Sequence, residues 1–107
     1  KNNKMEKQIG DALIKRNIVH ADTEIEAWYK AVEFGGGTFD QKGFFTISEI
    51  EKKDNGSVCF HARSNVDGKW YDFNYSNIIA IDGMEPEKLA NAYGIKLPKV
   101  NKNINKK

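Results

Sequence analysis

Apolar positions along the chain fall into two rhythms. Over residues 4–16, Met5 is followed by Ile9, Ala12 and Leu13 at spacings of four, seven and eight, which is one face of a helix, and Asn17 can end it. Thr23-Glu24-Ile25-Glu26 then has the form of a capping box, and Ile25, Trp28, Tyr29 and Val32 follow at helical spacing. A second helix is therefore predicted over 23–34, with Gly35-Gly36-Gly37 ending it and serving as a hinge toward whatever comes next.

From Gly43 the period shortens toward two, the signature of sheet. Phe45 and Ile47 alternate with Thr46 and Ser48, after which Ile50 falls out of phase. Asp54-Asn55-Gly56 supplies a hairpin turn. In the next strand Val58, Phe60 and Ala62 face one way while Cys59, His61 and Arg63 face the other. Past a tight Asp67-Gly68 turn, Tyr71, Phe73 and Tyr75 oppose Trp70, Asp72 and Asn74. Ser76-Asn77 interrupts the pattern, and Ile78 to Ile81 forms a short buried strand ending at Asp82-Gly83. Pro86 then opens a helix over about 85–93, with Leu89, Ala92 and Tyr93 as its buried face.

These elements predict an α+β domain over residues 1–98. It has two N-terminal helices, a small bent antiparallel sheet over about 43–82 that forms an SH3-like partial barrel, and a short C-terminal helix. Residues 99–107, with seven lysines and asparagines against two apolar side chains, are expected to be a disordered basic tail.

Charge changes the picture more than composition does. The 107 residues carry a formal +2, but residues 1–16 hold +3, residues 96–107 hold +5, and the stretch between them holds −6. A net acidic body repels phosphate, so nucleic acid is expected to be drawn to the Lys-rich termini and not to the body. No apolar run is long enough to cross a membrane. The single cysteine, Cys59, has no partner for an internal disulfide, which points to a reducing, cytoplasmic setting.

Candidate chemistry is sparse. His61 and Asp72 fall on outward faces of neighbouring predicted strands and can meet as a base and its orienting carboxylate, yet no nucleophile or cofactor motif accompanies them. Cys59 and His61 share a face two residues apart, and Cys59 reads better as a packed small hydrophobe than as a nucleophile. Cys59, His20 and His61 are the only Cys or His residues, one short of a four-ligand zinc set. No catalytic residue, cofactor or metal is therefore predicted. Arg63, Lys69 and Trp70 cluster around the Asp67-Gly68 turn, although Trp70 is also placed to pack beneath the N-terminal helices. With Trp28 and Tyr29 they are the candidate partner-binding residues, since tryptophan, tyrosine and arginine dominate interfaces.

The segment from Phe73-Asn74-Tyr75-Ser76-Asn77-Ile78 through Met84-Glu85-Pro86-Glu87-Lys88-Leu89-Ala90 resembles segments of small accessory proteins of tailed bacteriophages. Lysine outnumbers arginine fifteen to two, and the bias toward Lys, Asn and Ile fits an AT-rich coding sequence of that origin. The resemblance implies a phage or mobile-element protein in the bacterial host cytoplasm that binds and modulates or inhibits a host protein or protein complex, and it carries over no functional residue. The sequence-level alternative is an SH3-like nucleic-acid-binding module for RNA or single strands, built on Arg63 and Trp70. Oligomeric state has no sequence signal.

Overall fold

A computed structural model describes residues 5–96, and the predicted basic tail lies outside them. The chain is α+β. In order it forms α1 (Lys7–Lys15), β1 (Glu24–Val32), β2 (Thr38–Lys52), β3 (Val58–Ser64), β4 (Trp70–Phe73), a 3₁₀ turn (Tyr75–Asn77), β5 (Ile78–Ile81) and α2 (Pro86–Ala92). The five strands make one open antiparallel sheet in the order β4-β3-β2-β1-β5.

The predicted helix over 23–34 is strand β1, so one N-terminal helix stands where two were expected. Its helical spacing coexists with an alternation in which Ile25 and Ala27 are buried, Tyr29 half-buried, and Glu24 and Trp28 exposed. Nine cross-strand pairs with β2, from Glu24↔Thr46 to Val32↔Thr38, and pairing with β5 on the other side favour the strand. Its aromatic and β-branched residues suit a pleated surface. The capping box does not form, because the Thr23 hydroxyl accepts the His20 backbone N–H at 3.0 Å. The three glycines are accordingly no hinge between a helix and a sheet. They lie in the β1–β2 hairpin loop, where Gly35 and Gly36 take φ of 107° and 102° and Glu33 N–H closes on the Gly37 carbonyl at 2.8 Å.

The other turns follow their sequence signals. Asn55 bridges to the Ser57 N–H at 3.0 Å beside Gly56, and Asp82 and Gly83 both sit at positive φ as Ile81 bonds back to Met84. The phase slip at Ile50 has a structural cause. Pairing of β2 with β3 shifts between Ile47/Glu49, a β-bulge that lets both Ile47 and Ile50 face inward.

The core lies on one side of the sheet. Phe45, Ile47, Phe60, Ala62 and Phe73 supply its floor, and Met5 just before α1, Ile9 and Leu13 of α1, and Leu89 and Ala90 of α2 cover it. Burying each large apolar side chain contributes roughly 1.5–3 kcal/mol. In α2 the buried face is Pro86, Leu89 and Ala90; Ala92 and Tyr93 are exposed, because the helix ends there and Ile95 turns back into the core instead. The sheet also curls. Tyr29 of β1 meets Tyr71 of β4 at a ring separation of 5.2 Å, although two strands separate them in the sheet order.

Candidate partner-binding face

The face of the sheet turned away from α1 and α2 carries large side chains with no cover among the described residues. Register places Trp28 opposite Lys42, Glu26 opposite Phe44, and Trp70 opposite Arg63. Trp28, Phe44 and Trp70 are 41%, 50% and 59% exposed. A cation sits beside each tryptophan: Lys42 Nζ is 5.5 Å from the Trp28 ring centre, and the Arg63 guanidinium carbon is 5.5 Å from that of Trp70. Arg63 is held in place by donating to the Gly68 carbonyl at 3.0 Å.

Of the five candidate residues, three lie on this face: Trp28, Arg63 and Trp70. Trp70 does not pack beneath the helices, because β4 alternates and assigns the core to Tyr71 and Phe73. Lys69 is exposed in the adjoining turn, where its backbone N–H donates to Asp67 at 3.0 Å. Tyr29 belongs to the opposite side, where it packs edge-on against Phe45 and Tyr71. Phe44 was missed by sequence reasoning, since its neighbour Phe45 set the inward phase of the strand. The alternation itself already put Phe44 outside.

Where the sheet curls, Trp28, Tyr29 and Lys30 of β1 and Tyr71 and Phe73 of β4 line a cleft of about 710 Å³, to which Ser76 and Asn77 also contribute. β5 pairs with β1 only over Ile25 to Ala27, so the β1 backbone along this cleft has one edge free of strand partners among the described residues.

Farther along the outer face, His61 is gripped by two carboxylates. Nδ1 lies 2.7 Å from Asp72 Oδ1 and Nε2 lies 3.0 Å from Glu51 Oε1. The bond to Glu51, then that to Asp72, raises the His61 pKa above its ordinary value. The same bond, with Lys53 nearby, lowers that of Glu51. Cys59 Sγ stands 3.9 Å from His61 Nδ1. Burial, and then the charges of Asp72 and Glu51, push the Cys59 thiol up, so it stays protonated at neutral pH. His61 and Asp72 do come within hydrogen-bond distance, as their places on neighbouring strands allow. Glu51, as the second carboxylate on the histidine, was not anticipated, because the bulge hides which face it takes.

Beyond the cleft, α1 and the 3₁₀ turn join through Tyr75, whose hydroxyl donates to Asp11. Burial, and then Asp11, push the Tyr75 pKa far up. Burial acts to raise Asp11, but bonds from Lys7 and Tyr75 outweigh it and hold the carboxyl below its ordinary value.

No protein-family model matches the chain, and no solved structure matches it. Two curated proteins are similar over part of it. The Ubl carboxyl-terminal hydrolase 18 of Pongo abelii is 41% identical over 51 residues, and that of Homo sapiens is 39% identical over 51 residues. Each stretch covers 48% of this chain and 13% of the hydrolase, so the likeness spans about an eighth of those relatives.

Proposed function

We propose that this chain is a non-enzymatic binding protein that docks a partner protein on the outer face of its sheet and modulates or blocks it. The observation that carries this reading is the grouping of Trp28, Phe44 and Trp70, all exposed, on one face that neither helix covers. Large aromatics beside cations, with carboxylates around them, have the make-up of an interface core and rim. The strand order, with β4 and β5 as the two edges joined by a 3₁₀ turn, and the curl that brings Tyr71 to Tyr29, support an SH3-like partial barrel as the scaffold.

A non-enzymatic role is supported by the state of the Cys59 and His61 pair. The thiol is disfavoured as a thiolate, and both ring nitrogens are engaged by carboxylates. A phage or mobile-element origin, with a host protein complex as the target in the bacterial cytoplasm, remains the sequence-based part of the proposal. The partial likeness to Ubl carboxyl-terminal hydrolases makes a Ubl protein the first purified partner to try.

A second reading rests on Trp70, whose exposed ring beside Arg63 is also what a base-stacking platform uses, making an RNA or single-strand binder the alternative. One set of titrations separates the two. Partner protein is expected to bind at ~150 mM salt with affinity lost in a Trp28→Ala/Trp70→Ala variant. Single-stranded RNA and DNA are expected to lose binding as salt approaches that level. Tight nucleic-acid binding at that salt, with no protein retained from a nuclease-treated lysate or bound in titration, would reverse the order of the two readings.

A further inference from the structure

We propose that Glu51, Cys59 and His61 form a binding site for a thiophilic divalent transition ion, zinc foremost, with Asp72 positioning the histidine. The donors stand together because of strand register. Glu51 lies directly opposite Cys59, His61 follows on the same face of β3, and Asp72 lies opposite His61 on β4. One ligating atom from each of Glu51, Cys59 and His61 lies within 4.8 Å of the other two. His61 meets Glu51 through Nε2 at 3.0 Å, so Nε2 is the nitrogen turned to the ion, and the Cys59 thiol stands beside the same ring, 3.9 Å from its Nδ1. Rotamer adjustment of exposed Glu51 completes the approach.

The donor set selects the ion. One thiolate, one imidazole and one carboxylate favour zinc or cobalt over magnesium or calcium, which take oxygen shells. Three protein ligands leave a fourth position open to water on this exposed face. His61 gives Nε2 to the ion and keeps Nδ1 on Asp72, an arrangement that fixes ring orientation and raises ligand basicity. Binding displaces the Cys59 thiol proton and any proton held on the metal-facing nitrogen of His61, both released to solvent, and no electron is transferred. Glu51 and Asp72 bring two carboxylates to this ring, which favours a dication. Counting Cys and His alone conceals such a site, since its third ligand is Glu51.

Titration of Co²⁺ and then Zn²⁺ into the full chain tests the proposal. One equivalent of cobalt is expected to bind with thiolate-to-cobalt charge-transfer absorption, and zinc is expected to displace it while magnesium does not. Cys59→Ser should abolish the absorption. Both Cys59→Ser and His61→Ala should weaken zinc by about 100-fold or more, beyond the roughly 10-fold expected for Asp72→Asn, which should retain the absorption. His20→Ala should change nothing. Far-ultraviolet circular dichroism checks that each variant stays folded, and Glu51→Gln gives a further ligand variant that leaves the thiol intact. Absence of the charge-transfer band in the wild-type chain, or zinc affinity unaltered in folded Cys59→Ser and His61→Ala, overturns the site.

Discussion

Tyr75 lies with its ring against the backbone of Gly10, so close that a Cβ at Gly10 would overlap ring atoms Cδ1 and Cε1. The ring has little room to yield, since its hydroxyl is tied to Asp11 and its edge packs on Phe60 at 5.6 Å. In most helix interiors Gly→Ala gains about 1 kcal/mol. At this position overpacking, which costs roughly 1–3 kcal/mol, is expected to win, so Gly10→Ala should be net destabilising in urea unfolding. A variant as stable as the parent would show that Tyr75 swings aside.

The Tyr75 to Asp11 bond gives the fold a defined acid response. Asp11 has a folded pKa below its ordinary 3.8, so its contribution is fully present above that value and is lost as pH falls through the lower folded pKa. Tyr75→Phe, which removes the donor, should cost about 1 kcal/mol at neutral pH. Its deficit relative to the parent should shrink as Asp11 becomes protonated. Urea midpoints measured from neutral pH down to about pH 3 check this. A deficit that holds constant across the range would separate the bond from Asp11 ionisation.

Trp28 and Tyr29 are adjacent in sequence but face opposite sides of the sheet, so their alanine variants should separate binding from folding. Trp28→Ala and Trp70→Ala are each expected to weaken partner binding by about 2 kcal/mol, close to 30-fold, with thermal stability little changed. Tyr29→Ala removes edge contacts with Phe45 and Tyr71 and should lower stability by roughly 3 kcal/mol or somewhat less. Paired calorimetric binding and melting measurements on the three variants check it. Equal loss of stability in all three would place Trp28 in the core.

The sequence was most legible where a strand had one wet and one dry face. Val58, Phe60 and Ala62 against Cys59, His61 and Arg63 marked β3 correctly, while in β4 the same alternation separated Tyr71 and Phe73 from Trp70 without telling which side is the core. β1 was misread because its apolar residues satisfy both periods, and only pairing with β2 and β5 decides between them. That decision is tertiary and leaves no local mark beyond the aromatic and β-branched content of Ile25, Trp28, Tyr29 and Val32. For the candidate binding face, Trp28, Arg63 and Trp70 were found by residue type. Phe44 and Glu51 were not, because the outward side of β2 becomes readable only once its bulge is located.

That bulge makes Ser48 a surplus residue. Ile47 pairs with Ala62 and Glu49 with His61, so excising Ser48 would leave every one of these cross-strand partners in place and turn an irregular ladder into a regular one. What would be lost is curvature, since bulges bend and twist the strand that carries them. A Ser48 deletion should therefore still fold and still bring Glu51 to Cys59, while relaxing the curl that presses Tyr71 against Tyr29 and widening the cleft between β1 and β4. In this sheet, side-chain pairing and overall shape are separable by one residue.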